Sequence, residues 1–271
     1  MTTSETTRTF GEAWASWQTA RLRAATAPYG LASLVATNWL SPAPQRLEGL
    51  PGTWRLEEGE IVGEGLPGSA DIHLAEGGEL ELGRLLLRHH RRDDEVALRV
   101  LDADAPDRAA VAGIDAFPPD PAWVLTGRFE PAADGSSVDI HEIDGYVESY
   151  ALAGTVHLRL GGEEVALLAT GARSGMQVVF SDSTSGGETY RFRFLRLKAQ
   201  DGAGDGAGDG DRDGDGDGSQ PIEVDFNRAY LPPCAFADFY LCPMPAPQNR
   251  LPVAVRAGEK TVDRLPEEPA R

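Results

Sequence analysis

The chain has 271 residues and a formal net charge of −18, from 25 basic and 43 acidic side chains. It is long enough to bury a large core without disulfide bonds. The strong negative charge argues against nucleic acid as a partner, because the phosphates would be repelled. The first residues lack the basic and apolar regions of a signal peptide, and the longest apolar-leaning run, residues 31–40, is too short to span a bilayer. We therefore expect a cytoplasmic protein without a membrane partner, whose two cysteines are thiols.

The kind of charge is as informative as its amount. Lys198 and Lys260 are the only lysines in the chain, whereas aspartate and glutamate occur along its whole length. Short carboxylates hold water in concentrated salt better than long alkyl-ammonium groups do. This pattern predicts a halophilic cytoplasm. The alternative is a GC-rich genome that encodes arginine, alanine, glycine and aspartate often.

The N-terminal region, residues 1–30, carries apolar side chains at helical spacing. Phe10, Trp14 and Trp17 would lie on one face, which predicts an amphipathic helix that Pro28 and Gly30 end. We expect the tryptophans to anchor this helix on the rest of the protein. The alternative is that they form a stripe that binds a partner.

The rest of the chain is typical of β-structure. Short runs rich in β-forming residues alternate with Gly, Pro and Asp, without intervening helical periods. This pattern predicts a mainly β fold with antiparallel strands, either a sandwich or a partly closed barrel. The β-domain is expected to span residues 31–198 and 219–265, with a sub-boundary at the proline-rich residues 117–121.

The stretch from Tyr190 to Phe194 alternates strictly between aromatic and basic side chains. In a strand, Tyr190, Phe192 and Phe194 would share one face, while Arg191 and Arg193 would lie on the other. We expect the aromatic face to belong to the core.

Residues 199–218 form an acidic Asp/Gly tract that has no side chain able to build a core, and we predict a disordered insertion. Asp209, Asp211 and Asp213 match the first half of a calcium-binding loop. However, the twelfth position is Gln220, where a bidentate carboxylate is required, and neither flank has a helical pattern. A solvated linker is therefore favoured.

Most familiar catalytic signatures are absent from the sequence, and no nucleophile stands out. The histidines are scattered and the two cysteines have no nearby histidine to complete a zinc site, so no metal site is predicted. Polar residues instead concentrate in a proline-rich segment near the C-terminus, whose backbone should be extended and rigid. They are Asp225, Asn227, Arg228, Asn249, Arg250, Glu259 and Lys260. Such residues either form a site or satisfy the backbone of an irregular segment.

Three stretches carry a family resemblance. They are residues 180–195 (FSDSTSGGETYRFRFL), residues 224–236 (VDFNRAYLPPCAF) and residues 242–260, which open with CPMPAPQNRL and end in AGEK. At these signature blocks the chain resembles the domain of unknown function 1684 family. It departs from the family pattern at Leu231, where asparagine is usual, and at Met244, where leucine is usual.

The resemblance implies that the first block forms one unit with the other two. The residues concerned are Asp182, Thr184, Thr189, Tyr190 and Arg193. Strands over residues 189–198 and 222–226 flank the same insertion, so we expect them to pair as a hairpin.

Our first hypothesis is a site for a small, anionic ligand at one end of the β-domain. Its candidate residues are Asp182, Thr184, Tyr190, Arg193, Asp225, Asn227, Arg228, Asn249, Glu259 and Lys260. Arg193 or Arg228 could hold the anion bidentately, and a buried carboxylate could act as acid or base. Hydrolysis is the least demanding reaction for such a site, while the catalytic residue, cofactor and oligomeric state are left open.

The second hypothesis belongs to a different class. Here the same residues form a buried, salt-bridged polar latch that closes the β-domain with the C-terminal segment, in a structural or protein-interaction protein.

The salt hypothesis can be tested on the purified protein. We expect its melting temperature to rise between dilute buffer and molar KCl, because screening relieves repulsion among the excess carboxylates. Thermal unfolding followed by circular dichroism measures this. Equal stability in both buffers would favour the genome-composition explanation instead.

Overall fold

The structure, a computed structural model, describes residues 9–66, 71–198 and 219–266. The predictions of disorder and of calcium binding for residues 199–218 lie outside the described residues. The chain divides into two compact units. We call the first the signature unit, which comprises Met1–Gln18, Ile114–Pro232 and Cys242–Thr261. The second, which we call the companion unit, comprises Thr19–Gly113, Pro233–Leu241 and Val262–Arg271.

Helix α1 spans Phe10–Ala25 and confirms the N-terminal prediction. Thr9 and Glu12 cap its first turn reciprocally: the Thr9 amide donates to the Glu12 carboxylate at 2.9 Å, and the Glu12 amide donates to the Thr9 hydroxyl at 3.3 Å. Half-buried side chains, including Trp14 and Trp17, recur every three or four residues along one face, as expected of an amphipathic helix. No helix in the described ranges is long and apolar enough to cross a membrane.

The signature unit is built on one sheet. Its strands are β9 (Val124–Pro131), β10 (Ser137–His141), β11 (Val147–Leu160), β12 (Glu163–Thr170), β13 (Met176–Phe180), β14 (Arg193–Leu197) and β15 (Gln220–Asp225). The strand order is β14-β13-β12-β11-β9-β15, with β10 on a further stretch of β11, and all pairs are antiparallel. The sheet curves into a half-barrel, which fits the predicted partly closed barrel.

The core of the signature unit lies on one face of this sheet. In β11, Val156, Leu158 and Leu160 are buried, whereas the side chains between them face outward. Phe226, from the second signature block, is fully buried in the same core and packs edge-on against Phe180 at a centroid distance of 5.7 Å. The alternation of apolar and polar residues thus determines which face of the sheet the second signature block packs against.

The companion unit contains two antiparallel sheets. One has the order β1 (Leu34–Trp39), β7 (Glu95–Asp102), β6 (Leu85–Arg92) and β5 (Glu79–Leu82). The other comprises β2 (Thr53–Glu57), β3 (Glu60–Glu64) and β4 (Ile72–Leu74). Trp54 is fully buried against Gly63, where a Cβ would lie only 2.6 Å from the indole ring, so no larger residue fits there. Helix α2 (Pro106–Ala110) follows these strands.

Strands β8 (Val111–Ala116) and β16 (Glu259–Arg264) form a further two-stranded sheet. The proline-rich stretches between β15 and β16 form short 3₁₀ helices at Phe226–Arg228, Pro233–Ala235 and Pro247–Asn249. Proline removes backbone donors that a ladder would need, so this region remains irregular. Cys234 and Cys242 are both buried thiols. The mainly antiparallel β fold is therefore confirmed.

The predicted hairpin around the insertion is wrong. Strand β14 pairs with β13, and β15 pairs with β9, so the two strands lie at opposite edges of the sheet. A hairpin register is set by a short turn, and the long connection after residue 198 imposes none.

The alternation predicted for residues 190–194 is also only partly correct. Phe192 and Phe194 are buried, but so is Arg193, whereas Arg191 is exposed and Tyr190 half-buried. Strand β14 begins only at Arg193, which is covered on its own face by the C-terminal segment of the signature unit. Alternation of buried and exposed residues is expected only where one face of a strand is in the core, and here both faces are covered.

His90, on β6 of the companion unit, has an unusual environment. It is half-buried, with its ring centroid 6.0 Å from that of Trp39. Burial lowers the pKa of His90 to about 4, and the positive charges of Arg99 and Arg92, together with His89, contribute to the shift.

The lowered pKa of His90 predicts an acid-sensitive fold. Below pH ~6.5 the unfolded chain takes up a proton at His90 that the folded chain binds only near pH 4, so stability should fall as the pH drops through this window. Urea unfolding across this window should show a shallower loss for His90→Gln than for the natural chain. A His90 ring that titrates near pH ~6.5 by NMR would contradict this assignment.

Candidate functional site

The ten candidate residues divide by burial. Six are buried: Asp182, Thr184, Arg193, Asn227, Asn249 and Glu259. Four are half-buried: Tyr190, Asp225, Arg228 and Lys260. Buried polar groups need internal partners, and the partners of these residues reveal what holds each one in place.

Asp182 and Arg193 form an ion pair without any exposure to solvent. The Arg193 Nη2 donates to Asp182 Oδ2 at 2.5 Å, and both side chains are 0% exposed. Burial lowers the pKa of Arg193, and the Asp182 carboxylate opposes that shift. The carboxylate therefore keeps the guanidinium charged inside the protein.

The Nη groups of Arg193 also bind the backbone of the third signature block, whereas its buried Nε has no hydrogen-bond partner among the described residues. Nη1 donates to the carbonyl of Ala257 at 2.6 Å and to that of Glu259 at 3.3 Å, while Nη2 also donates to Val255 at 2.8 Å. The guanidinium lies over the Phe180 ring, with Cζ 5.2 Å from the centroid. One side chain thus fastens three carbonyls of an irregular segment to the end of β13 and β14.

A compact turn holds Asp182 in place. Its Oδ1 accepts from both the amide and the hydroxyl of Thr184, at 2.6 and 2.5 Å, and the Thr189 hydroxyl lies 3.0 Å from that of Thr184. The Asp182 amide donates to the Ser185 hydroxyl at 3.1 Å. The aspartate and the two threonines of the first block therefore have local structural partners.

Glu259 ties the third block to the second. Its Oε2 accepts from the Leu231 amide at 2.7 Å in a fully buried setting, and its own amide donates to the Ala229 carbonyl at 2.8 Å. Gly258 before it has a φ of 80°, and a Cβ there would lie 2.5 Å from the Ala229 carbonyl oxygen. Glycine has no Cβ, so it is the residue that tolerates both this φ and this close approach.

Asn227 and Arg228 connect the second block to helix α1. The Asn227 side chain pairs with both the amide and the carbonyl of Asp120, at 2.9 and 3.0 Å. The backbone carbonyl of Asn227 accepts a hydrogen bond from the Trp14 indole at 3.1 Å. The Arg228 guanidinium lies 5.2 Å from the centroid of the Trp17 ring. The tryptophans of α1 thus anchor the helix on the signature segment.

Asp225 supports this arrangement. Its Oδ1 accepts from the amide and from the side chain of Asn227, at 3.0 and 2.9 Å, and its Oδ2 lies 3.6 Å from Arg228 Nε. The carboxylate caps the 3₁₀ helix that follows β15.

The Asn249 side chain forms hydrogen bonds with backbone groups that a neighbouring β-strand would otherwise bind. Its Oδ1 accepts from the Leu168 amide at 2.8 Å, and its Nδ2 donates to the carbonyls of Leu168 and Val179, at 3.0 and 2.9 Å. A single side-chain amide therefore satisfies backbone groups of both β12 and β13.

Lys260 and Tyr190 have different partners. Lys260 Nζ binds Asp115 at 2.5 Å and lies 5.3 Å from the Phe117 ring, while its backbone carbonyl accepts from the Tyr190 amide at 2.8 Å.

The three blocks thus contact one another, as the resemblance implies. The ten side chains nevertheless do not converge on one cleft: Asp182, Thr184 and Arg193 form one cluster, and Asp225, Asn227 and Arg228 form another.

Residues of the third signature block outside the ten candidates do line a cleft. Arg250 borders a depression of about 460 Å³ beside Ile143, Met244, Pro245 and Pro247. Arg250 is one of the polar residues of the proline-rich segment to which the sequence points. No signal in the sequence distinguished it from its buried neighbours. Within the described ranges, no three His, Cys, Asp or Glu side chains converge to hold a metal ion.

Comparison with known proteins agrees with the signature blocks. A family described as "Protein of unknown function (DUF1684)" has a sequence model that matches residues 109–260. The chain is also similar to the solution NMR structure of an uncharacterized protein of Haloarcula marismortui, with 30% identity over 55% of this chain and 76% of that chain, at a TM-score of 0.42. No match was found among curated proteins. Because the family match spans more than half of the 271 residues and includes all three signature blocks, the chain belongs to the DUF1684 family.

Proposed function

We propose that the signature residues act as a buried polar latch, and that the chain is a structural or protein-interaction β-domain rather than an enzyme that works through these residues. The observation that carries the proposal is the fully buried Asp182–Arg193 pair, whose guanidinium donates to the carbonyls of Val255, Ala257 and Glu259. Each of these groups has internal partners and is closed to solvent.

The carboxylates favour the latch over acid–base chemistry. Asp182 accepts from Arg193 and Thr184, and Glu259 accepts from the Leu231 amide, with both side chains buried. A general acid or base must reach a proton of the substrate. Carboxylates held in this way serve the backbone instead.

The latch predicts a specific pattern of stabilities. Arg193→Met should lower the free energy of unfolding by about 3–5 kcal/mol, because it strands a buried carboxylate and leaves backbone carbonyls without donors. Asp182→Leu combined with Arg193→Met should cost less than the sum of the two single changes. Urea unfolding followed by circular dichroism measures all three variants.

A matched control comes from an exposed arginine of the same segment. Arg256 pairs with Glu188 at 2.7 Å, but both side chains are about half exposed. Arg256→Met should therefore leave the urea midpoint close to that of the natural chain. Hydrogen exchange adds a local test, since Arg193→Met should speed exchange of the Leu231 and Glu259 amides before global unfolding. If Arg193→Met left both the stability and these exchange rates unchanged, the latch would be wrong.

Asn249 provides a second, independent test. Asn249→Ala leaves the Leu168 amide and two carbonyls without their partner, so we expect a loss of about 2–4 kcal/mol. Gln248→Ala, at an exposed neighbouring position, should have little effect. Similar unfolding midpoints for the two variants would remove Asn249 from the latch.

A further inference from the structure

The depression beside Arg250 is a cleft with mixed walls. Ile143, Met244, Pro245 and Pro247 supply apolar surface, and Arg250 supplies a positive charge. Its volume of about 460 Å³ lies within the range of small-molecule sites in proteins. None of the ten candidate residues considered above is part of its lining.

The backbone around the cleft is firmly connected. The Ile143 amide donates to the Cys242 carbonyl at 3.0 Å, and the Met244 amide donates to the His141 carbonyl at 2.8 Å. These bonds join the end of β10 to the start of the third signature block. The apolar walls therefore come from two segments held together by a short ladder.

Arg250 itself is held by its neighbours. The Ser181 amide donates to the Asn249 carbonyl at 3.1 Å, and the Leu251 amide donates to the Ser181 carbonyl at 2.7 Å. Asn249 and Leu251 are both buried, whereas Arg250 between them is exposed. The backbone that carries the guanidinium is thus fixed before any ligand arrives.

The guanidinium of Arg250 differs from most others in the chain. Within the described ranges it makes no hydrogen bond or ion pair. Other exposed arginines, such as Arg84, Arg159 and Arg256, have carboxylates within salt-bridge distance. In a chain with 43 acidic residues, an arginine at a cleft without an acidic partner is available for an external anion.

We propose that this cleft binds a small organic monoanion: a molecule whose carboxylate pairs bidentately with Arg250 and whose apolar body packs on Ile143 and Met244. Asp139 and Glu142 also line the cleft and disfavour added negative charge, so a ligand with one carboxylate fits better than one with two. Glu142 is buried and accepts a hydrogen bond from the Tyr150 hydroxyl at 3.0 Å, so it already has an internal partner. The proposal adds a ligand site to the structural role proposed above and does not depend on the latch.

A matched pair of probes tests the charge and the apolar body together. We would titrate the full chain with 3-phenylpropionate, and separately with 3-phenylpropylamine, and follow backbone amides by NMR. The anion should shift the signals of Ile143, Met244 and Arg250, and the amine should not. Arg250→Gln should weaken binding of the anion about tenfold or more.

Two further variants make the outcome decisive. Arg256→Gln removes an exposed arginine outside the cleft lining and should leave the affinity unchanged. Met244→Glu places a negative charge in the apolar wall and should abolish binding. Unchanged amide spectra away from the cleft would show that the variants fold. Equal affinity in Arg250→Gln, preferential binding of the amine, or no shifts among the cleft residues would each overturn the proposal.

Discussion

The buried charge of Arg193 is the constraint on which the signature unit depends. A guanidinium removed from water is costly unless charges and dipoles replace the lost solvation. Here the Asp182 carboxylate supplies the charge, and the carbonyls of Val255, Ala257 and Glu259 supply the dipoles. The segment from 255 to 259 has little ladder of its own to occupy these carbonyls. The cost of burying the arginine and the cost of burying irregular backbone are therefore reduced by the same contacts.

The same logic explains why the second and third signature blocks combine several prolines with two of the chain's three asparagines. Proline stiffens the chain but removes donors, so the sheet cannot simply continue through this region. Asn249 replaces the missing ladder with one side-chain amide that meets β12 and β13, and Asn227 does the same for the backbone of Asp120. A side-chain amide offers both a donor and an acceptor, as a peptide group does. These residues thus extend the hydrogen bonding of the sheet into a segment that cannot form a strand.

The N-terminal helix and the antiparallel sheets could be predicted from the sequence, because both depend on local periodicity. Trp14 and Trp17 predicted helix α1 by their spacing, and the short β-rich runs predicted the antiparallel sheets. The partners of β14 and β15 could not be predicted, since a long connection sets no register. Nor could the burial of Arg193, because alternation shows which residues share a face but not whether both faces are covered. Arg250 is next to Asn249 in the same motif, and only the fold separates the buried amide from the exposed guanidinium.

Asn249, Arg250 and Leu251 show how a structural motif can also present a functional group. The two outer residues are fixed by hydrogen bonds to β12, β13 and Ser181, which places Arg250 on the opposite side of the segment. A flexible arginine loses rotamer freedom when it binds an anion, and a fixed backbone reduces the additional ordering that binding requires. The rigid segment therefore gives the guanidinium a defined position beside the apolar walls of the cleft. In this unit, the contacts that stabilise the fold are also those that would prepare a binding site.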